Sequence, residues 1–162
     1  MNLKNTDDKY KLVISVGDES GIGPEIILKA LFSDEIPQDV DFILVGSKKN
    51  LQNTYTNLRS LGLKNIANPS NLTIHDLEIS SSDQSKSGYG NLSFFYLTKA
   101  IEIVKQYPNS ALVTGPICKK SWSLAGHSYS GQTEVLAKSC TIKNVGMLFT
   151  AKSPITGWRF NT

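Results

Sequence analysis

Segments with the residue types that hold anions stand at three points of this 162-residue chain, each next to the start of a helical pattern. Residues 17–25 read GDESGIGPE and follow a short β-branched run, KLVISV, over residues 11–16. Ligands collect beyond the carboxyl ends of strands in open α/β sheets. Glycine lets backbone approach a ligand closely, and a helix start turns its N–H groups toward negative charge. Asp18, Gly21 and Gly23 are therefore candidate binding residues. The spacing is neither GxGxxG nor a P-loop, so it carries no nucleotide fingerprint. A tight turn that only packs the first helix fits the same letters.

The second segment, TGPICK over residues 114–119, also follows a strand pattern. Lys119 could present its charge to a phosphate or carboxylate, although a solvated surface lysine is the plainer reading. Cys118 stands beside Lys119 and Lys120, a setting that can lower a thiol pKa, but an inert small residue is the simpler assignment. The third segment, GHSYSGQTE over residues 126–134, is a glycine-bounded loop running into a helix. Gln132 and Thr133 would present side-chain and backbone donors near that helix start. Alternatively, Thr133 caps the helix and Glu134 complements its dipole.

Catalytic and metal-ligating residues are not assigned. His75 and His127 lie far apart with no Cys or carboxylate at ligand spacing, so they read as structural or solvent-exposed. No Ser-His-Asp arrangement can be argued. Cys118 and Cys140 are the only cysteines and are expected to be free thiols.

The elements that must position these residues alternate. Strands are expected over residues 11–16, 41–45, 71–74, 110–113 and 145–151, with another starting near 158. Helices are expected from Pro24, over 50–61, 91–107 and 119–125, and over 133–140. Residues 76–90, rich in Ser, Asp and Gly, read as a loop. Strand–helix alternation implies an α/β fold, a mainly parallel sheet with flanking helices. The expected division is a polar tail over 1–10, a first α/β domain over 11–110, and the start of a second, incomplete one over 111–162.

Apolar residues make up 40% of the chain and charged residues 19%, as in ordinary globular proteins. Net charge is +3 without a basic, aromatic-interleaved stripe, which argues against nucleic acid and leaves a small anion as a compatible partner. No 18-residue apolar run indicates a membrane span, and residues 1–10 do not resemble a signal peptide; the expected compartment is cytoplasmic.

Taken together, the three segments resemble the 4-hydroxythreonine-4-phosphate dehydrogenase family. Its opening pattern is close to GDPAGIGPE, its middle one is TGP, two variable residues and Lys, and its third is AG followed by PGHTE or PGQTE. This chain has GDESGIGPE, TGPICK and AGHSYSGQTE, with a similar MLFTAKSP run downstream. The resemblance implies an isocitrate/isopropylmalate dehydrogenase-like fold and a homodimer with interfacial active sites. It implies oxidation of 4-phosphooxy-L-threonine with NAD or NADP and a divalent metal (Zn, Mg or Co), then decarboxylation, in pyridoxal 5′-phosphate synthesis. The family's substrate-binding pair falls on Gln132 and Thr133, while Lys119, Asp18, Gly21 and Gly23 match motifs near the cleft.

Glu19 and Ser20 replace the usual Pro-Ala, which is expected to loosen that turn, and Ser130 replaces a usual Pro. The family's three metal-binding histidines would fall after Thr162, so metal ligands are absent from this chain. The expectation is a truncated, inactive fragment whose sheet has unpaired edges and uncovered apolar faces. Close relatives acting on phosphorylated threonate or erythronate offer an alternative substrate class. A non-catalytic phosphate-binding module is the reading from a different class.

Overall fold

The computed structural model describes residues 9–37, 39–77, 83–153 and 157–161. They fall into two compact units, Met1–Tyr129 and Ser130–Thr162.

In the first unit, β1 (Tyr10–Ser15), β2 (Val40–Gly46), β3 (Ile74–Asp76) and β4 (Ser110–Thr114) form one all-parallel sheet in the order β3-β2-β1-β4. Val13 is paired with Ile43 on one side and Leu112 on the other. This central strand falls in the β-branched run of residues 11–16, of which Val13, Ile14 and Val16 are buried. The remaining elements are α1 (Gly23–Ala30), α2 (Lys48–Ser60), α3 (Lys86–Val104) and α4 (Lys119–Leu124). Leu28, Leu44, Leu51, Tyr96 and Ala100 join β1 in one apolar core.

Ser47 starts α2: its hydroxyl accepts from the Asn50 N–H at 3.1 Å. Ser47→Ala is expected to lower the unfolding free energy by about 1 kcal/mol, as read from urea denaturation. Ser85 caps α3 in the same way. That helix takes in residues 86–90, which composition assigns to a loop; residues 78–82 of that loop lie outside the described residues. Gly88 and Gly90 lower helix propensity, yet a tertiary contact uses the missing side chain of Gly90, while Gly88 lies against Asp83 just before the helix. A Cβ on Gly90 would lie 2.1 Å from the Ser121 carbonyl oxygen, so α4 approaches α3 closely at this point. The strand expected over 71–74 is also displaced. Asn68 accepts from the Ser70 N–H and, with Pro69, closes a single 3₁₀ turn over Pro69–Asn71, so pairing with β2 begins at Ile74.

On the side of α1 the sheet is incompletely covered. Leu12, Ile14, Ile26, Phe42 and Val113 line an apolar cavity of about 300 Å³, and Val113 on β4 is 42% exposed. No helix among the described residues is long and apolar enough to cross a membrane.

The second unit contains α5 (Gln132–Ser139) and an antiparallel hairpin of β5 (Phe149–Ser153) and β6 (Gly157–Asn161). The strand expected from residue 145 begins at Phe149, because β6 pairs only with residues 149–153.

Candidate functional site

The strand order reverses beside β1: β2 and β3 lie to one side and β4 to the other. Such a switch point opens a crevice at the carboxyl ends of its strands. Here two candidate segments, residues 17–25 after β1 and 114–119 after β4, meet through their backbones. The Gly115 N–H donates to Ser15 O at 2.8 Å, and the Asp18 N–H donates to Pro116 O at 2.9 Å.

Glycine is required for that approach. Gly17 has φ +80°, and a Cβ there would lie 2.3 Å from Pro116 O. A Cβ on Gly23 would lie 2.4 Å from Val16 O, so Gly23 lets the first turn of α1 pack under the end of β1. Gly21 is exposed, and its N–H closes the turn by donating to Asp18 O at 3.1 Å.

Asp18 is 7% exposed. Its Oδ1 accepts from both the N–H and the hydroxyl of Ser20, at 2.9 and 2.7 Å. The side chain thus holds the turn that carries it. Glu19, expected to loosen this turn, ties it down. One oxygen, Oε1, accepts from the Tyr96 hydroxyl at 2.6 Å and from the Ser47 N–H at 3.2 Å. Burial raises the Glu19 carboxyl above the ordinary carboxylate range, against the lowering effect of those two bonds; the nearby Asp18 and Asp76 charges raise it further. The Tyr96 hydroxyl is likewise pushed up, by burial first and then by its bond to Glu19. Asp76, at the end of β3, accepts from the Lys48 N–H at 3.0 Å and so places the start of α2 beside this group.

Lys119 is exposed in the first turn of α4. Cys118 is lowered, chiefly because the Ser121 hydroxyl and N–H bond to its sulfur, with the Lys120 backbone N–H adding to the effect. Cys118 and Cys140 are both free thiols. His75 is exposed on β3. His127 stacks on Phe94 with ring centroids 3.8 Å apart, and its Nε2 lies 2.9 Å from Asn91 Oδ1. Burial lowers its pKa, favouring the neutral ring. Its role is to anchor the loop after α4 against α3. Among the described residues no three His, Cys, Asp or Glu side chains are grouped to hold a metal ion.

In the second unit, Gln132 and Thr133 open α5 after Gly131, which occupies the cap position without a side-chain cap bond. Thr133 therefore lies inside the helix rather than at its cap, and Glu134 sits in the first turn as dipole complementarity favours.

The structure joins Asp18, Gly21 and Gly23 to the segment leading into Lys119. Glu19, Tyr96, Ser47 and Asp76 were not legible as a group. Tyr96 reads as one more apolar position of α3, and nothing in its spacing marks a partner at residue 19.

The family model described as the pyridoxal phosphate biosynthetic protein PdxA matches residues 38–156. A 4-hydroxythreonine-4-phosphate dehydrogenase of Nostoc sp. is 42% identical over 95% of this chain and 45% of its own length. A protein of Fusobacterium nucleatum with the provisional name D-threonate 4-phosphate dehydrogenase is 29% identical, over 91% of this chain and 46% of its own. The crystal structure of a 4-hydroxythreonine-4-phosphate dehydrogenase from Burkholderia phymatum superposes with a TM-score of 0.74 at 22% identity, over 88% of this chain and 47% of that one; at that identity it shows the fold. The chain spans about half the length of the curated relatives it matches.

Proposed function

This chain belongs to the PdxA family of pyridoxal phosphate biosynthetic proteins, and from that premise we propose that it carries the substrate-binding part of an oxidoreductase acting on 4-phosphooxy-L-threonine. The reaction would be the NAD- or NADP-dependent, divalent-metal-assisted oxidation and decarboxylation leading to pyridoxal 5′-phosphate, in a cytoplasmic homodimer. The observation that carries the reading is the junction of residues 17–25 with 114–119 at the sheet's switch point, in a chain whose residues 38–156 match the family.

The chemistry assigned to the described residues is binding and orientation. Lys119 would attract the substrate phosphate. The turn holding Asp18, Gly21 and Gly23 would bring the first N–H groups of α1 toward an anion. In its own unit, Gln132 would donate a hydrogen bond without adding charge, and Thr133 a hydroxyl. Beyond the first unit, residues 130–162 would begin the second α/β domain.

The purified chain, given 4-phosphooxy-L-threonine, NAD or NADP and a divalent metal, is expected to bind substrate without turning it over. Robust turnover by this chain alone would overturn its reading as a partial enzyme. Lys119→Ala is expected to weaken that binding about fivefold at low salt. Because Lys119 is exposed, the unfolding free energy should shift by less than about 0.5 kcal/mol. An unchanged affinity in calorimetry would remove Lys119 from the site.

The Fusobacterium relative favours a second reading, a phosphorylated four-carbon sugar acid as substrate. A calorimetric panel including threonate and erythronate phosphates separates the two by rank of affinity.

A further inference from the structure

We infer that Glu19 is a positioning residue, whose carboxyl group pins the β1–α1 turn to α3 and to the start of α2. Its weight in substrate binding rests on the proposed role of that turn; the pin itself does not.

The geometry is economical. A single oxygen accepts the Tyr96 hydroxyl at 2.6 Å and the Ser47 N–H at 3.2 Å, joining elements 77 and 28 residues away in sequence. Both anchors are fixed independently of Glu19. Tyr96 is fully buried in the core face of α3, and Ser47 is held as the cap of α2 through its own hydroxyl. Glu19 sits between Asp18, which accepts from Ser20, and Ser20 itself. Fixing its side chain therefore fixes the direction of the turn that delivers Gly21 and Gly23 to α1. Removing the acceptor leaves a buried tyrosine hydroxyl without its partner, which favours an open turn that admits water.

The pin is pH-dependent in a stated direction. The charged groups acting on Glu19 are Asp18 on its own turn and Asp76 on β3, both acidic, while Tyr96 and Ser47 donate neutral hydrogen bonds. Its carboxyl lies above the unfolded value. The closed turn is thus favoured most fully below the unfolded pKa, and that contribution is lost as pH rises through the raised value.

Hydrogen exchange on the full chain tests this without any substrate. The Ser20 and Gly21 amides, bonded to Asp18, report the turn. The Val16 and Leu44 amides, bonded to Val45 and Thr73, report the sheet. Glu19→Leu, which fills space but accepts nothing, is expected to speed exchange at Ser20 and Gly21 about tenfold relative to Val16 and Leu44. Glu19→Gln keeps an acceptor oxygen and is expected to restore protection and to abolish its fall with rising pH. Should Glu19→Leu fail to fold, Tyr96→Phe removes one donor and carries the same expectation. The inference is overturned by turn protection unchanged in Glu19→Leu or Tyr96→Phe, by Glu19→Gln behaving like Glu19→Leu, or by equal acceleration at all four amides. Failure of substrate binding in calorimetry, with the exchange result intact, would instead count against the proposed function alone.

Discussion

Gly115→Ala is expected to cost about 4 kcal/mol or more, enough to unfold a domain of ordinary stability. A Cβ at this position would lie 2.3 Å from Val16 O, 2.6 Å from Val16 C and 2.7 Å from Ser15 O. Every obstructing atom is backbone, so no rotamer change relieves the clash. The neighbouring strand cannot retreat either: the Gly115 N–H bonds Ser15 O at 2.8 Å, and β1 is also held by β2. Gly126→Ala is the internal control. Gly126 has φ +85° with nothing within 4 Å of its would-be Cβ, so only backbone strain remains, about 1 kcal/mol. Urea unfolding followed by circular dichroism distinguishes them. A Gly115→Ala midpoint equal to that of Gly126→Ala would refute the close approach of the two strand ends on which the candidate site depends.

Trp122→Ala is expected to destabilise the chain by about 3–5 kcal/mol. Trp122 is completely buried at the interface of α4 with α3. Its Nε1–H donates to Ser93 Oγ at 2.8 Å, and the ring meets Phe94 edge-on at 5.3 Å. Phe94 in turn stacks on His127 and Tyr129, so the loss should spread to the loop following α4. Ser93 retains its bond to Gly90 O at 3.0 Å, which keeps its hydroxyl satisfied and assigns the cost to the cavity and the lost ring contacts. Trp122→Phe should recover more than half of the loss. The far-ultraviolet signal is the right monitor, because the substitution removes one of two tryptophans. A loss under about 1 kcal/mol would mean that α4 is not anchored through this residue.

Both substitutions act on elements whose existence is plain in the letters. The β-branched run before Gly17, the proline and acidic residue opening α1, and the apolar spacing of α3 specify strand, turn and helix through local propensities alone. The three glycine-bearing segments are equally legible, and their order and spacing carry the family resemblance that the family match over residues 38–156 and the Nostoc relative bear out. Propensity operates over a few residues, so a local reading succeeds where local preferences and the fold agree.

Local reading is insufficient where a contact from far along the chain decides. Gly88 and Gly90 look like loop residues, yet Gly90 is helical where Ser121 presses against it at a distance no side chain permits. Glu19 looks like a substitution that weakens a turn, yet Tyr96, 77 residues later, makes it a tether. The sheet order β3-β2-β1-β4 places residues 17–25 beside 114–119, and strand order belongs to no single segment. From the sequence alone come the elements, the glycine-rich turns and the family. Which turns touch, and which carboxylate is buried against which hydroxyl, is decided by tertiary packing, because desolvation and close contact depend on neighbours in space.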